Sequence, residues 1–143
     1  MRRKSDLLLW DLDNQSDNSI HDVVYWSSYI SSESDGVFSL PQLVEQNADY
    51  LKSEYLKLIY EFGEAKVNGK RIIDHLIIRQ NFSYWWMTLF AEKCNYAKSP
   101  QIDNIIKLMA LEQWLQENKY QKLKLVTAND ELAMSVSLLA KRL

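Results

Sequence analysis

Four consecutive apolar residues, Leu7 to Trp10, stand between Asp6 and Asp11 with no polar residue alternating among them. A strand with one wet face alternates; one without alternation is covered on both faces, as in a parallel sheet flanked by other elements. The far end of the chain carries a matching unit. In KLKLVT a strand reads over Leu123 to Thr127, and a turn, Ala-Asn-Asp, follows. Leu132, Val136, Leu139, Ala140 and Leu143 then recur at helical spacing, with Asn129 or Thr127 as the N-cap. Strand followed by helix is the building unit of a parallel α/β sheet. The expected fold is therefore α/β, a small and mostly parallel sheet with two or three visible strands and a large helical share. Only 3 Gly and 2 Pro are present, which disfavours a turn-rich all-β chain.

Between these ends the order is mixed. The segment from His21 to Ser32 contains VVYWSSYI, rich in β-branched and aromatic residues, and reads as a second strand. A serine-rich loop, SSESDG, follows. Ser39 and Pro41 mark a helix start. Leu51, Tyr55, Leu58, Ile59 and Phe62 continue at helical spacing up to Gly63, and VNGK is a turn. From Arg71 the spacing of Ile72, Ile73, Leu76 and Ile77 predicts helix again. NFSYWWMTLFAEK, with Phe82, Trp85, Trp86, Leu89 and Phe90 on one face and Tyr84 and Met87 widening it, predicts a helix buried nearly all round. Pro100 opens the next helix, on which Ile102, Ile105, Ile106 and Met109 share a face. The 143 residues suffice for one domain. So few strands leave open sheet edges, so the expectation is one lobe of a larger protein, or a chain that pairs with another.

Charge and composition narrow the function classes. A net charge of −2 offers no basic excess for nucleic acid. No run of about 18 apolar residues exists to span a membrane. The apolar run behind the basic N-terminus is too short for a secretory signal. The single cysteine, Cys94, cannot form an internal disulfide or a cysteine-based zinc cluster, and a reducing cytoplasm fits. A small buried hydrophobe is its ordinary role. His21 and His75 stand apart from other ligand-type residues, so no metal site is expected.

Asp11 and Asp13 form an Asp-x-Asp at a strand end, which resembles the first motif of the haloacid-dehalogenase phosphatases. The resemblance would make Asp11 the nucleophile and Asp13 the general acid, beside magnesium. Gln15 and Ser16 depart from that pattern, and Thr127 with Asp130-Glu131 are the only remote candidates for its later motifs. The Asp-x-Asp of nucleotide-sugar transferases follows a nucleotide-binding half-domain, and almost nothing precedes this one. The same residues also suit a strand leaving into a solvated turn.

A longer string is more distinctive: SYWWMTLFAEKCNYAKSPQIDNIIKLMALEQWL, from Ser83 to Leu115. Together with LLLWDL, YWSSYI, YLKSEYLKLI and KLKLVTAND in that order, it resembles the N-terminal region of surface carbohydrate (O-antigen-type) biosynthesis proteins. The resemblance covers most of the chain but only the front of that family. It implies a Rossmann-like lobe of a two-lobed, glycosyltransferase-like protein. This lobe would hold a glycan or lipid-linked glycan acceptor, and a nucleotide-sugar donor would bind a C-terminal lobe not contained here. No cofactor is then expected in this chain, which alone would be catalytically incomplete. The setting would be cytoplasmic, peripheral to the inner membrane.

Candidate site residues follow from position. Asp11 or Asp13 could serve as general base toward an acceptor hydroxyl. Thr127 and Asn129 lie at another strand's carboxyl end, where open α/β sheets bind ligands. Trp85 could stack on a sugar ring, with core packing of Trp85 and Trp86 as the alternative. Lys98 and Ser99 at a helix start could hold an anion, or Ser99 could simply cap. Arg79 could reach a phosphate or carboxylate, or form a structural ion pair. The competing class is a non-catalytic interaction domain, which requires Trp85 or Trp86 to be exposed.

Overall fold

The computed structural model describes residues 4–14, 16, 22–30, 35–91 and 99–143. In chain order the first elements are β1 (Lys4–Asp11), β2 (Asp22–Tyr25), β3 (Val37–Ser39), α1 (Leu40–Gln46) and α2 (Ala48–Glu64). Two hairpins follow, β4 (Lys66–Val67) with β5 (Lys70–Arg71), and, after the single turn α3 (Ile72–His75), β6 (Ile77–Arg79) with β7 (Phe82–Ser83). A 3-10 turn at Tyr84–Met87, α4 (Pro100–Glu117), β8 (Tyr120–Thr127) and α5 (Asp130–Arg142) complete the order. The chain divides into two compact units, Met1–Ala48 with Asn104–Leu143, and Asp49–Asp103. Among the described residues no helix is long and apolar enough to cross a membrane.

The first unit is an α/β structure built on an all-parallel sheet of order β3-β2-β1-β8. Unalternated leucines make β1 an interior strand: Leu7, Leu8 and Leu9 are 0%, 2% and 0% exposed. The register pairs Leu9 with both Val24 and Leu125, and Val24 with Phe38, so these share one face. On that face Phe38 meets Trp114 of α4 at 4.9 Å, and Trp114 stacks on Tyr120 at 5.5 Å. Trp26 donates its indole N–H to Asn104 Oδ1 at 3.0 Å. The opposite face buries Leu8, Val23 and Tyr25 against Trp10, Ile30, Val37 and Val126. Ser16, in the connection after β1, donates its backbone N–H to the Tyr25 hydroxyl there.

From β1 the chain steps outward to β2 and β3, then returns to place β8 on the other side of β1. The direction of winding therefore reverses between β1 and β8. At the opposite, amino-terminal end of the sheet, Tyr120 donates its hydroxyl to Asp22 Oδ2 at 2.7 Å. Burial, then that carboxylate, pushes the Tyr120 pKa well above its ordinary value. Gly36 takes φ +81°, and a Cβ there would come within 2.8 Å of Asp22 Oδ1. The expected N-caps are present: Ser39 accepts from the Gln42 N–H, and Asn129 from the Leu132 N–H.

The second unit departs from the sequence reading. The helical spacing over 71–77 and 81–93 predicts two helices, but among the described residues of that stretch only Ile72–His75 is α-helical, and the segment around the Trp pair is a hairpin and a 3-10 turn. Asn81, at φ +63°, turns the chain between β6 and β7, and the Asn68-Gly69 pair does so between β4 and β5. Ser83 then fixes the exit, donating its hydroxyl to the Ile73 carbonyl and accepting the Trp85 N–H. The apolar residues still converge, by folding back rather than by helical periodicity. Ile59, Trp85 and Ala91 form a core with Tyr55, Ile72, Ile73, Leu76 and Phe90 around it. Gly63 lies inside α2, and a Cβ on it would stand 3.0 Å from Trp85 Nε1. Arg71 bridges Glu64 and Asp74, and its guanidinium holds the Asp74 carboxyl below the usual carboxylate range.

Candidate functional site

Asp11 ends β1 and Thr127 ends β8, and the parallel register puts them side by side. The Thr127 hydroxyl donates to Asp11 Oδ2 at 2.7 Å. Ser27, just beyond β2, donates its hydroxyl to Asp11 Oδ1 at 3.1 Å. The same Thr127 Oγ1 accepts the Asn129 N–H at 3.0 Å, which ties the carboxylate to the start of α5. One half-buried carboxylate is thus oriented by two hydroxyls at the carboxyl end of the sheet, where the winding reverses.

Among the described residues, each carboxylate oxygen accepts one hydrogen bond and keeps a further acceptor direction. An oriented carboxylate can accept a ligand hydroxyl, and can take its proton when a reaction draws charge onto that oxygen. The surrounding charge is negative: Asp13 lies exposed in the bend after β1, and Asp130 and Glu131 occupy the first turn of α5. These carboxylates complement the helix N-terminus themselves, which leaves little attraction for an anionic ligand.

Asp11, Thr127 and Asn129 are therefore brought together, with Asp13 two residues along the same exit. Asn129 spends its side-chain oxygen on capping α5, so its amide N–H groups are the part left for a ligand. Trp85, Arg79 and Ser99 belong to the second unit. Trp85 is 4% exposed, with Phe62 and Phe90 against its ring at 5.7 and 6.0 Å, and so takes the core-packing alternative. The exposed indole is its neighbour Trp86, at 53%. Arg79 is exposed, with its guanidinium 6.0 Å from the centre of the Phe82 ring. The Ser99 hydroxyl donates to Gln101 Oε1. Lys98, Cys94 and His21 lie outside the described residues.

Sequence reading missed Ser27. Its signal was a pair of hydroxyl residues directly after an aromatic strand, a place where side chains reach the sheet's carboxyl end. Among the described residues, no group of three or more His, Cys, Asp or Glu is placed to hold a metal ion. Of the partners a haloacid-dehalogenase-like site would want, Thr127 stands on Asp11, while Asp130 and Glu131 serve the first turn of α5.

The fold and this site define an α/β protein with a parallel, Rossmann-like sheet and a carboxylate–hydroxyl cluster at its winding reversal. No family model, no curated protein and no solved structure matches the chain.

Proposed function

We propose that the chain is the acceptor-side lobe of a glycosyltransferase-like protein of surface polysaccharide biosynthesis. Asp11 accepts the hydroxyl of a glycan acceptor and acts as its general base, and Thr127 and Ser27 hold the carboxylate in position. Asp13 and the Asn129 amide contact neighbouring hydroxyls. A nucleotide-sugar donor is held by a further lobe or second chain. The observation that carries this reading is the carboxylate of Asp11 fixed by two hydroxyls at the winding reversal. The acidic surroundings support a neutral, hydroxyl-bearing ligand over a diphosphate.

The test is glycan transfer by the complete protein with Asp11→Asn. Loss of kcat with KM little changed supports the reading. Unchanged transfer by both Asp11→Asn and Asp13→Asn refutes it. Magnesium-dependent hydrolysis of a generic phosphate ester, abolished by Asp11→Asn, would favour the phosphatase instead.

One observation favours a second reading, an interaction domain without catalysis. Trp86, Met87 and Leu89 follow one another on the second unit at 53%, 59% and 65% exposure. Large exposed apolar clusters of this kind mark contact surfaces. The reading requires that Trp86→Ala abolish partner capture while Asp11→Asn leaves it intact.

A further inference from the structure

Among the described residues, the outer edge of the sheet is open at β8. This strand pairs with β1 along its length and, among the described residues, with nothing on its other side. At eight residues it is long for an unprotected edge, and every other residue there directs its N–H and C=O outward. Beside that edge runs a groove of about 310 Å3. Leu123 and Leu125 of β8 form its floor, and Ala133, Val136 and Ala140 of α5 form its wall. Lys141 stands at the rim.

The two faces of the edge differ in character. Leu123 and Leu125 face the groove, half-buried. The alternate residues, Lys122 and Lys124, point to the other face and are exposed. Among the described residues neither lysine makes an ion pair, and Asp6 stands opposite Lys122 in the β1–β8 register.

We propose that the β8 edge receives an added strand of alternating apolar and acidic residues from a partner protein. Its backbone completes the open hydrogen-bonding row. Its apolar side chains enter the groove beside Leu123 and Leu125. Its acidic side chains, two residues apart, lie about 7 Å from one another, which is the spacing of Lys122 and Lys124 along β8. A second copy of this chain fits poorly. Antiparallel pairing of β8 with itself in its central registers sets Lys122 and Lys124 of the two copies opposite or diagonal to one another, and like charges so placed repel. The inference does not depend on the glycan reading, and its test needs no transfer activity.

The probe is a seven-residue blocked peptide alternating valine and glutamate, titrated into the 15N-labelled chain. Binding is expected to shift and protect the β8 amides. Lys122→Glu/Lys124→Glu, at exposed positions, is expected to weaken binding about tenfold or more, each lost attraction being replaced by a repulsion. The double variant is expected to bind the corresponding valine–lysine peptide instead. Undisturbed β8 amides at millimolar peptide would overturn the proposal. So would equal binding of both peptides by the unaltered chain, or a dimer in sedimentation that the double substitution dissolves.

Discussion

Thr127→Val tests the candidate site without touching the carboxylate itself. Valine keeps the β-branched shape that β8 requires, and removes one donor and one acceptor. The donor makes a 2.7 Å bond to Asp11 Oδ2, and the acceptor takes the Asn129 N–H at 3.0 Å. A buried hydrogen bond to a charged group contributes about 1.5–3 kcal/mol, but both residues are half-buried and water replaces part of it, which leaves about 1 kcal/mol. The exposed Asn129 bond adds about 0.5 kcal/mol, and the extra methyl returns a similar amount. The net expectation is a destabilisation of about 1 kcal/mol, or about 2–4 °C in Tm. Urea unfolding of the single variants, Asp11→Ala and the double variant forms a thermodynamic cycle, with an expected coupling near 1 kcal/mol. A coupling under about 0.3 kcal/mol would mean that the two side chains do not hold one another, and the oriented-carboxylate argument would fail.

Other consequences are independent of this pair. Gly36→Ala puts a Cβ 2.8 Å from Asp22 Oδ1 in a backbone at φ +81°, so a loss of about 2–3 kcal/mol is expected in thermal unfolding. Because the fold raises the Tyr120 pKa, the stability it contributes is complete below the unfolded tyrosine value of about 10 and is lost as pH rises beyond it. Tyr120→Phe should therefore flatten the alkaline limb of a stability–pH curve, and an unchanged limb would exclude Tyr120 as its source. Iodide should quench one class of tryptophan emission strongly, and Trp86→Phe should remove most of that class, whereas Trp85→Phe should not. Trp85→Ala should cost about 3–5 kcal/mol, since the ring fills the second unit's core.

Much of the first unit was legible in the chain because its signals are local. Unalternated Leu7–Leu9, the alternating KLKLVT and the Asn129 cap each speak for themselves over a few residues. β3 was not legible: three residues acquire strand geometry only through Val23–Tyr25 of β2 and the positive φ of Gly36. The stretch 71–91 misleads for another reason. Ile72, Ile73, Leu76 and Trp85 converge on one core in a turn-and-hairpin path, and the same apolar spacing would serve a helix. The deciding signals were Asn81 and Ser83, one taking a left-handed backbone and the other bonding the main chain on both sides. Asp11 and Thr127 were each legible as strand ends, but their contact spans 116 residues and follows only from the sheet order.

That order also bears on what the site can select. In a doubly wound sheet the reversal of winding leaves a crevice between two strand ends, and nucleotide sites of that kind set a helix N-terminus against phosphate. Here the helix that follows β8 opens with Asn129 as its cap and Asp130 and Glu131 in its first turn. The side-chain charge opposes a phosphate that the helix N-terminus would otherwise attract, and Asp11 and Asp13 carry charge of the same sign. A ligand hydroxyl meets no such conflict, since an ionised carboxylate is an acceptor only and a hydroxyl supplies the donor. On the proposed reading, the reversal of winding places the ligand, and the acidic side chains beside it suit a hydroxyl donor better than an anion. Asp130→Asn/Glu131→Gln should consequently raise affinity for inorganic phosphate while leaving the Asp11–Thr127 coupling unchanged, measured by titration calorimetry and the unfolding cycle above. An unaltered phosphate affinity would show that side-chain charge is not what sets the preference.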